Sequence, residues 1–82
     1  MELMAVDSTL LRLFCQNLRM QRKLHGVTQV EMAERLGISQ PAYANLEAGR
    51  NAPTLTTVEK IATALGVQPS DLLTAAKVSV GS

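Results

Sequence analysis

The stretch from Thr28 to Arg50, TQVEMAERLGISQPAYANLEAGR, leaves the chain few ways to fold. It reads as two short helices joined by one tight turn. Thr28, with Glu31 three residues on, makes a capping box that opens the leading helix. Ala33 supplies a minimal side chain where the trailing helix must cross closely. Gly37 follows Leu36 at the helix end, where the chain turns through a left-handed residue and a Cβ would be penalised. Ile38 is placed to plug the gap beneath the turn, and Ser39 to cap the trailing helix with its hydroxyl. Small residue, glycine, hydrophobe and cap at these spacings describe a helix-turn-helix over about residues 28–48.

The rest of the chain is organised around that pair. Asp7 or Ser8 can cap a first helix running to about His25, where Gly26 stops it. Its apolar stripe is Leu10, Leu11, Phe14, Cys15 and Leu18, at helical spacings. One turn further the stripe meets Arg22, and an arginine on a core-facing stripe needs an anionic partner. Met32, Ala33 and Leu36 form the inner face of the second helix. In the third, from about Gln40 to Ala48, Tyr43 and Leu46 face inward and Glu47 lies one turn beyond Tyr43. Glu47 is therefore the natural partner of Arg22. Pro41 is tolerated in the first turn, where N–H groups have no intrahelical acceptor. The opposite face carries Gln40, Pro41, Ala44 and Asn45 as a single strip.

Gly49 ends the third helix, and Arg50 to Pro53 make a polar turn. Thr54 can cap a fourth helix with Leu55, Val58, Ile61, Ala62 and Leu65 at a period of 3.6, stopped by Gly66. Pro69 and Asp71 start a short fifth helix through Leu72 and Leu73. Residues 1–6 carry no periodic signal and either fray or dock, and residues 77–82 read as a frayed end or a short arm. The expected fold is all-α, five short helices in one domain spanning residues 1–82.

Composition narrows the function classes. A chain of 82 residues affords one compact core, burying about 60% of its unfolded surface. No apolar run reaches the roughly 18 residues that cross a bilayer, and the first residues lack a basic leader and a cleavage site. Cys15 has no partner for an internal disulfide, which suits a reducing cytoplasm. Net charge is only +1, mildly against nucleic-acid binding, but Arg12, Arg19, Arg22, Lys23 and His25 fall together. With one Phe, one Tyr and no Trp, there is no stacking platform for single strands. No cluster has metal-ligand spacing, no glycine loop cradles phosphate and no nucleophile has a base, so neither a cofactor nor an enzyme is expected.

With TQ, the alanine-glycine turn, SQ, LEAGR, a proline and ALGV in this order, the chain resembles the lambda-repressor-like (Cro/repressor) helix-turn-helix family over about residues 14–74. The resemblance implies a five-helix domain that binds double-stranded DNA as a homodimer, with its third helix in the major groove. It implies that Gln29 contacts phosphate and that Gln40, Pro41, Ala44 and Asn45 face base edges. Arg50 and Asn51 would lie along the sugar-phosphate backbone, and Arg22 and Glu47 would form a buried ion pair. Tyr43 reads mainly as core, with a hydroxyl that reaches phosphate if it leans outward. The strip departs from the commoner pattern at Pro41, where a polar residue is frequent. Only Gln40 and Asn45 can then hydrogen-bond bases directly; both amides suit adenine, and shape readout takes a larger share.

The leading expectation is a transcriptional regulator on a two-fold operator, acting by blocking or touching RNA polymerase. Dimerisation is expected through the fourth-to-fifth helix region and the tail, by Val67, Leu72, Leu73, Val78 and Val80, the alternative being a fifth helix that serves only the core. The rival is an antitoxin or interaction adaptor whose main partner is a protein such as a toxin. A third idea makes Cys15 a redox sensor.

Overall fold

A computed structural model of the protein describes residues 9–75. Five helices follow in order: α1 (Thr9–Leu24), α2 (Gln29–Leu36), α3 (Gln40–Ala48), α4 (Leu55–Leu65) and α5 (Pro69–Leu73). No strand occurs among the described residues. The expected caps Asp7 and Ser8, and the tail residues Val78 and Val80, lie outside the described residues.

Helix starts follow local chemistry. Thr28, Ser39 and Thr54 each accept, through the side-chain oxygen, the N–H three residues on, from Glu31, Ala42 and Thr57. Glu31 completes the box by accepting the Thr28 N–H at 2.8 Å, a backbone bond that also holds its carboxyl below the ordinary value. At α5 the Gln68 N–H donates to Asp71 Oδ2 at 2.9 Å.

The stops are left-handed glycines. At Gly37 φ is +71° and the Ile38 N–H reaches back to the Ala33 carbonyl at 3.0 Å, satisfying an end carbonyl of α2. Gly49 repeats this at φ +80° under a second constraint: a Cβ there would lie 3.3 Å from Cys15 Sγ of α1. Gly49→Ala is expected to cost about 1–2 kcal/mol for the left-handed backbone, or a Tm lower by about 5–15 °C in a domain this small. At Gly37 a Cβ meets nothing within 4 Å, so Gly37→Ala carries only the backbone cost. A thermal melt of the two variants side by side isolates the Cys15 contact.

The core gathers all five helices. Phe14 and Leu18 of α1, Met32 of α2, Tyr43 of α3, Ile61 of α4 and Leu72 of α5 are the large, fully buried side chains. Ala33, 3% exposed, lets α3 cross α2 closely. Val27 in the α1–α2 turn also joins the core. Polar cross-ties fix the periphery. Asn17 Nδ2, buried within α1, donates to the Thr74 carbonyl at 2.9 Å and clamps the end of α5. Arg35 Nη1 of α2 donates to the Ala64 carbonyl in the last turn of α4 at 2.8 Å.

Several expectations are corrected. Ile38 is 37% exposed and lines a surface cleft with Ala42 and Pro53 rather than plugging the turn from beneath. Leu10 and Leu55, placed on core stripes by periodicity, are 58% and 79% exposed. Each sits in the first turn of its helix, at the edge of what its neighbours cover. Leu72, expected at a dimer interface, is wholly buried, and Val67 and Leu73 pack against the core half-buried.

Candidate nucleic-acid interface

The turn at Gly37 and the cap at Ser39 hold α3 across α2, with Tyr43 and Glu47 inward. The opposite strip faces out: Gln40 and Pro41 are exposed, and Ala44 and Asn45 are half-buried. Gln29 begins α2 beside the start of α3, while Arg50 and Asn51 are exposed in the loop beyond it. The two-helix unit thus brings Gln29, Gln40, Pro41, Ala44, Asn45, Arg50 and Asn51 to neighbouring positions.

Beneath the strip lies a buried charge cluster. Glu47 is 3% exposed. It accepts Arg22 Nε at 2.7 Å and Arg22 Nη2 at 2.9 Å, a two-pronged ion pair. The third arm of that guanidinium, Nη1, donates to the Val27 carbonyl at 3.0 Å and ties down the α1–α2 turn. Tyr43 Oη donates to Glu47 Oε2 at 2.7 Å, and Gln29 Nε2 donates to Glu47 Oε1 at 3.0 Å. Arg19, on the exposed flank of α1, approaches the same carboxylate at 3.9 Å. Burial alone would raise the Glu47 pKa; the bonds from Arg22, Tyr43 and Gln29 outweigh it and hold the carboxyl at about 2. Burial, and then the bond to Glu47, push the Tyr43 phenol well above its ordinary range. Tyr43 is wholly buried. Its ring and hydroxyl belong to the core, as the main reading of the sequence has it, which corrects its place among the DNA-contacting residues: the hydroxyl does not lean out to phosphate.

The cluster also orients the surface amides. A carboxylate only accepts, so Glu47 draws the NH2 of Gln29 inward and leaves Gln29 Oε1 facing Gln40. Gln40 Nε2 donates to that oxygen at 2.9 Å. Gln40 therefore presents its Oε1 and its second Nε2 hydrogen outward. At the other end of α3, Arg50 Nη1 donates to Asn45 Oδ1 at 3.1 Å. An arginine only donates, so it occupies the Asn45 oxygen and leaves the Nδ2 hydrogens outward. One acid behind and one base beside the strip set the polarity of both amides.

Sequence reasoning missed this relay. Its signal was two glutamines, each opening one helix of the pair, so that the side chains meet where the helix N-termini converge. Nothing in the cluster resembles a catalytic site: the carboxylate is neutralised and enclosed. Among the described residues no His, Cys, Asp and Glu group could hold a metal ion, and no helix is long and apolar enough to cross a membrane. The Cys15 thiol is buried against the Leu46 carbonyl at 3.6 Å, and burial raises its pKa. That disfavours the reactive thiolate a redox sensor needs.

An outward polar strip on the second of two glycine-hinged helices defines a helix-turn-helix domain. Comparison with known proteins agrees. The sequence profile of the helix-turn-helix family matches residues 18–72, and the chain belongs to the lambda-repressor-like branch of that family, whose members are DNA-binding transcriptional regulators. It is 40% identical over 63 residues to the HTH-type transcriptional regulator y4dJ of Sinorhizobium fredii, covering 77% of this chain and 82% of that one. It is 38% identical over 58 residues to the immunity repressor protein of Bacillus phage phi105, covering 71% of this chain but 40% of the repressor. Among solved structures, the restriction-modification controller protein C.AhdI of Aeromonas hydrophila superposes with a TM-score of 0.70 at 32% identity, covering 76% of this chain and 94% of that one. Regulators and a repressor are the company the chain keeps, which does not favour the adaptor reading. It spans less than half the length of the phage repressor.

Proposed function

We propose that the protein is a sequence-specific double-stranded DNA-binding transcriptional regulator that acts in the cytoplasm as a homodimer on a two-fold operator. The third helix α3 enters the major groove, with half-sites about one helical turn apart. The observation that carries this reading is the outward strip of α3, whose two amides have their polarity set from within the domain. A protein-binding surface has no need of amides held so; base edges, each with a fixed order of donors and acceptors, do.

The two amides then read different bases. Gln40 offers an acceptor and a donor side by side, the complement of adenine N6 and N7. Asn45, with Oδ1 turned toward Arg50, leads with its Nδ2 donors, which suits guanine O6 and N7 or thymine O4. This revises the expectation that both read adenine. Pro41 and Ala44 have no polar side-chain atoms and approach thymine methyls. The Gln29 backbone N–H, at the start of α2, and the Arg50 and Asn51 loop bind phosphates on either side.

Duplex binding followed over a salt series tests the reading, together with selection of bound duplexes from a random pool. Affinity should fall steeply as salt rises, and the selected duplexes should share a two-fold motif. No binding to any duplex at low salt would reject the reading. For Arg50→Ala the expected result is weaker binding to every sequence, with a salt slope shallower by about one, and a relaxed preference at the base opposite Asn45.

A further inference from the structure

Half of the chain's cations stand on one helix. Of eight lysines and arginines, Arg12, Arg19, Arg22 and Lys23 lie on α1, which has no aspartate or glutamate. The rest of the sequence sets four basic residues against seven acidic ones. The net charge of +1 therefore conceals a basic edge. Arg22 is spent inward on Glu47 and the Val27 carbonyl. Arg12, Arg19 and Lys23 are exposed, and neither Arg12 nor Lys23 forms an ion pair with a described residue. Arg19 is surplus in another way. Glu47 already accepts four hydrogen bonds, two from Arg22 and one each from Tyr43 and Gln29, about as many as a carboxylate has lone pairs for. Arg19 Nε stays 3.9 Å from that carboxylate with its side chain 47% exposed, and Nη2 reaches only the Glu47 carbonyl, at 3.5 Å. Arg22 balances the Glu47 charge, so the Arg19 charge acts outside the cluster.

Arg12 and Arg19, two turns apart on one face of α1, edge a groove of about 350 Å³. Gln16 stands between them, and Ala48 and Gly49 line the groove from the end of α3. Ala48 is exposed and follows Asn45 by three residues and Ala44 by four, so it continues their outward strip. The groove thus opens where the strip meant for bases stops, and the chain leads from it directly into Arg50.

We infer that Arg12 and Arg19 join Gln29 and the Arg50 loop as phosphate-binding groups, holding the sugar-phosphate backbone that walls the major groove beside the C-terminal end of α3. The inference rests on the reading of α3 as the helix that enters that groove. The major groove is about 12 Å wide, and a helix with its side chains is about 10–12 Å across. The helix α3 therefore fills the width, and cations flanking its outward strip meet a wall of phosphates. At the Ala48 end those cations are Arg12 and Arg19. Arginine forks pair with phosphate oxygens through two parallel N–H bonds, and α1 brings no acid to repel them. An acidic protein segment would meet the same charges, but has no need of them at the end of a base-reading strip.

Duplex binding over a salt series, with Arg12→Gln, Arg19→Gln and Lys23→Gln in the full chain, tests the inference. Each arginine variant should bind every duplex roughly 3–10-fold more weakly at about 0.1 M salt, with a salt slope shallower by about one and the order of preferred bases unchanged. The double variant should lose about two from the slope. Lys23 is on the same helix but does not edge the groove, so its variant should change the slope by less than half as much as either arginine's. Both arginines are exposed, and thermal midpoints should stay within about 4 °C of the wild type. Arg19→Lys keeps the charge and should keep the slope; a slope as shallow as that of Arg19→Gln would make Arg19 a structural tie to the Glu47 carbonyl and overturn its part. An unchanged slope in the double variant overturns the inference and leaves the edge to an acidic protein partner. So does a Lys23→Gln slope as shallow as either arginine's, the outcome if only net charge counts. Should Arg50→Ala weaken binding while the double variant does not, the regulator reading stands and this inference alone falls. A wild type that binds no duplex at low salt rejects both.

Discussion

Glu47→Ala lowers the stability of the domain by about 3–5 kcal/mol, the usual consequence of removing one partner of a buried ion pair. Natural domains have only about 5–15 kcal/mol in total, so the variant gives up a large share of its stability. The loss is large because Glu47 is a shared acceptor. Without it Arg22, whose side chain is 11% exposed, keeps a charge in the interior with only the Val27 carbonyl to bind. Tyr43 Oη and Gln29 Nε2 lose their acceptor in the same step. Urea denaturation followed by helical ellipticity measures the change, and a loss under 1 kcal/mol would show that the cluster is not what holds α1 to α3. Replacing both ends of the pair by apolar residues of matching size should restore most of the stability. The double variant thereby separates the cost of an orphaned charge from the value of the pair.

The same carboxylate sets the acid limit. Its ordinary pKa of 4.5 applies to the unfolded chain and about 2 to the fold, a difference corresponding to about 3 kcal/mol of stability at neutral pH. Between those values the unfolded chain binds a proton that the folded one refuses. Stability is therefore full above about pH 4.5 and declines as pH falls toward about 2. Tyr43 acts at the opposite end. Its pKa is raised from 10.0 by burial and then by its bond to Glu47, so stability declines again as pH climbs past 10. In a series of urea melts, Glu47→Gln should flatten the acid slope and reduce the alkaline decline only in part, since burial is the larger cause of the Tyr43 shift.

What was legible in the sequence is what depends on near neighbours. Gly37 and Ser39 announce the turn because a left-handed stop and a hydroxyl cap are needs of three or four consecutive residues. Arg22 and Glu47 could be paired across 25 residues because each interrupts an inner face that is otherwise apolar. Leu10 and Leu55 went astray for the complementary reason. Periodicity tells which way a side chain points but not how far the neighbouring helix extends, and both overhang the end of their cover. Asn17 and Arg35 bind backbone carbonyls at helix ends. A carbonyl carries no residue identity, so such ties leave no mark in the sequence. The Gln29–Gln40 bond requires the angle between α2 and α3, which belongs to the fold rather than to either helix.

That bond carries the last expected result. Gln40→Ala should erase most of the preference for one base at one position of each half-site, a loss of roughly 1–3 kcal/mol of discrimination, while binding to unrelated duplexes at the same salt changes little. The asymmetry follows from where Gln40 stands. It is exposed and bears no charge, so neither stability nor the salt-sensitive attraction to phosphate depends on it. Its Oε1 and remaining Nε2 hydrogen can discriminate only if the amide is kept from rotating, and the hold comes through Gln29 from Glu47. Gln29→Ala should accordingly reproduce part of the loss with Gln40 intact: the freed amide turns, presents either edge and tolerates more than one base. Competition among single-base variants of a half-site, at fixed salt, reads both effects. Identical base preferences in the wild type and Gln40→Ala would place the reading surface elsewhere. A Gln29→Ala variant as selective as the wild type would leave Gln40 reading bases without the brace.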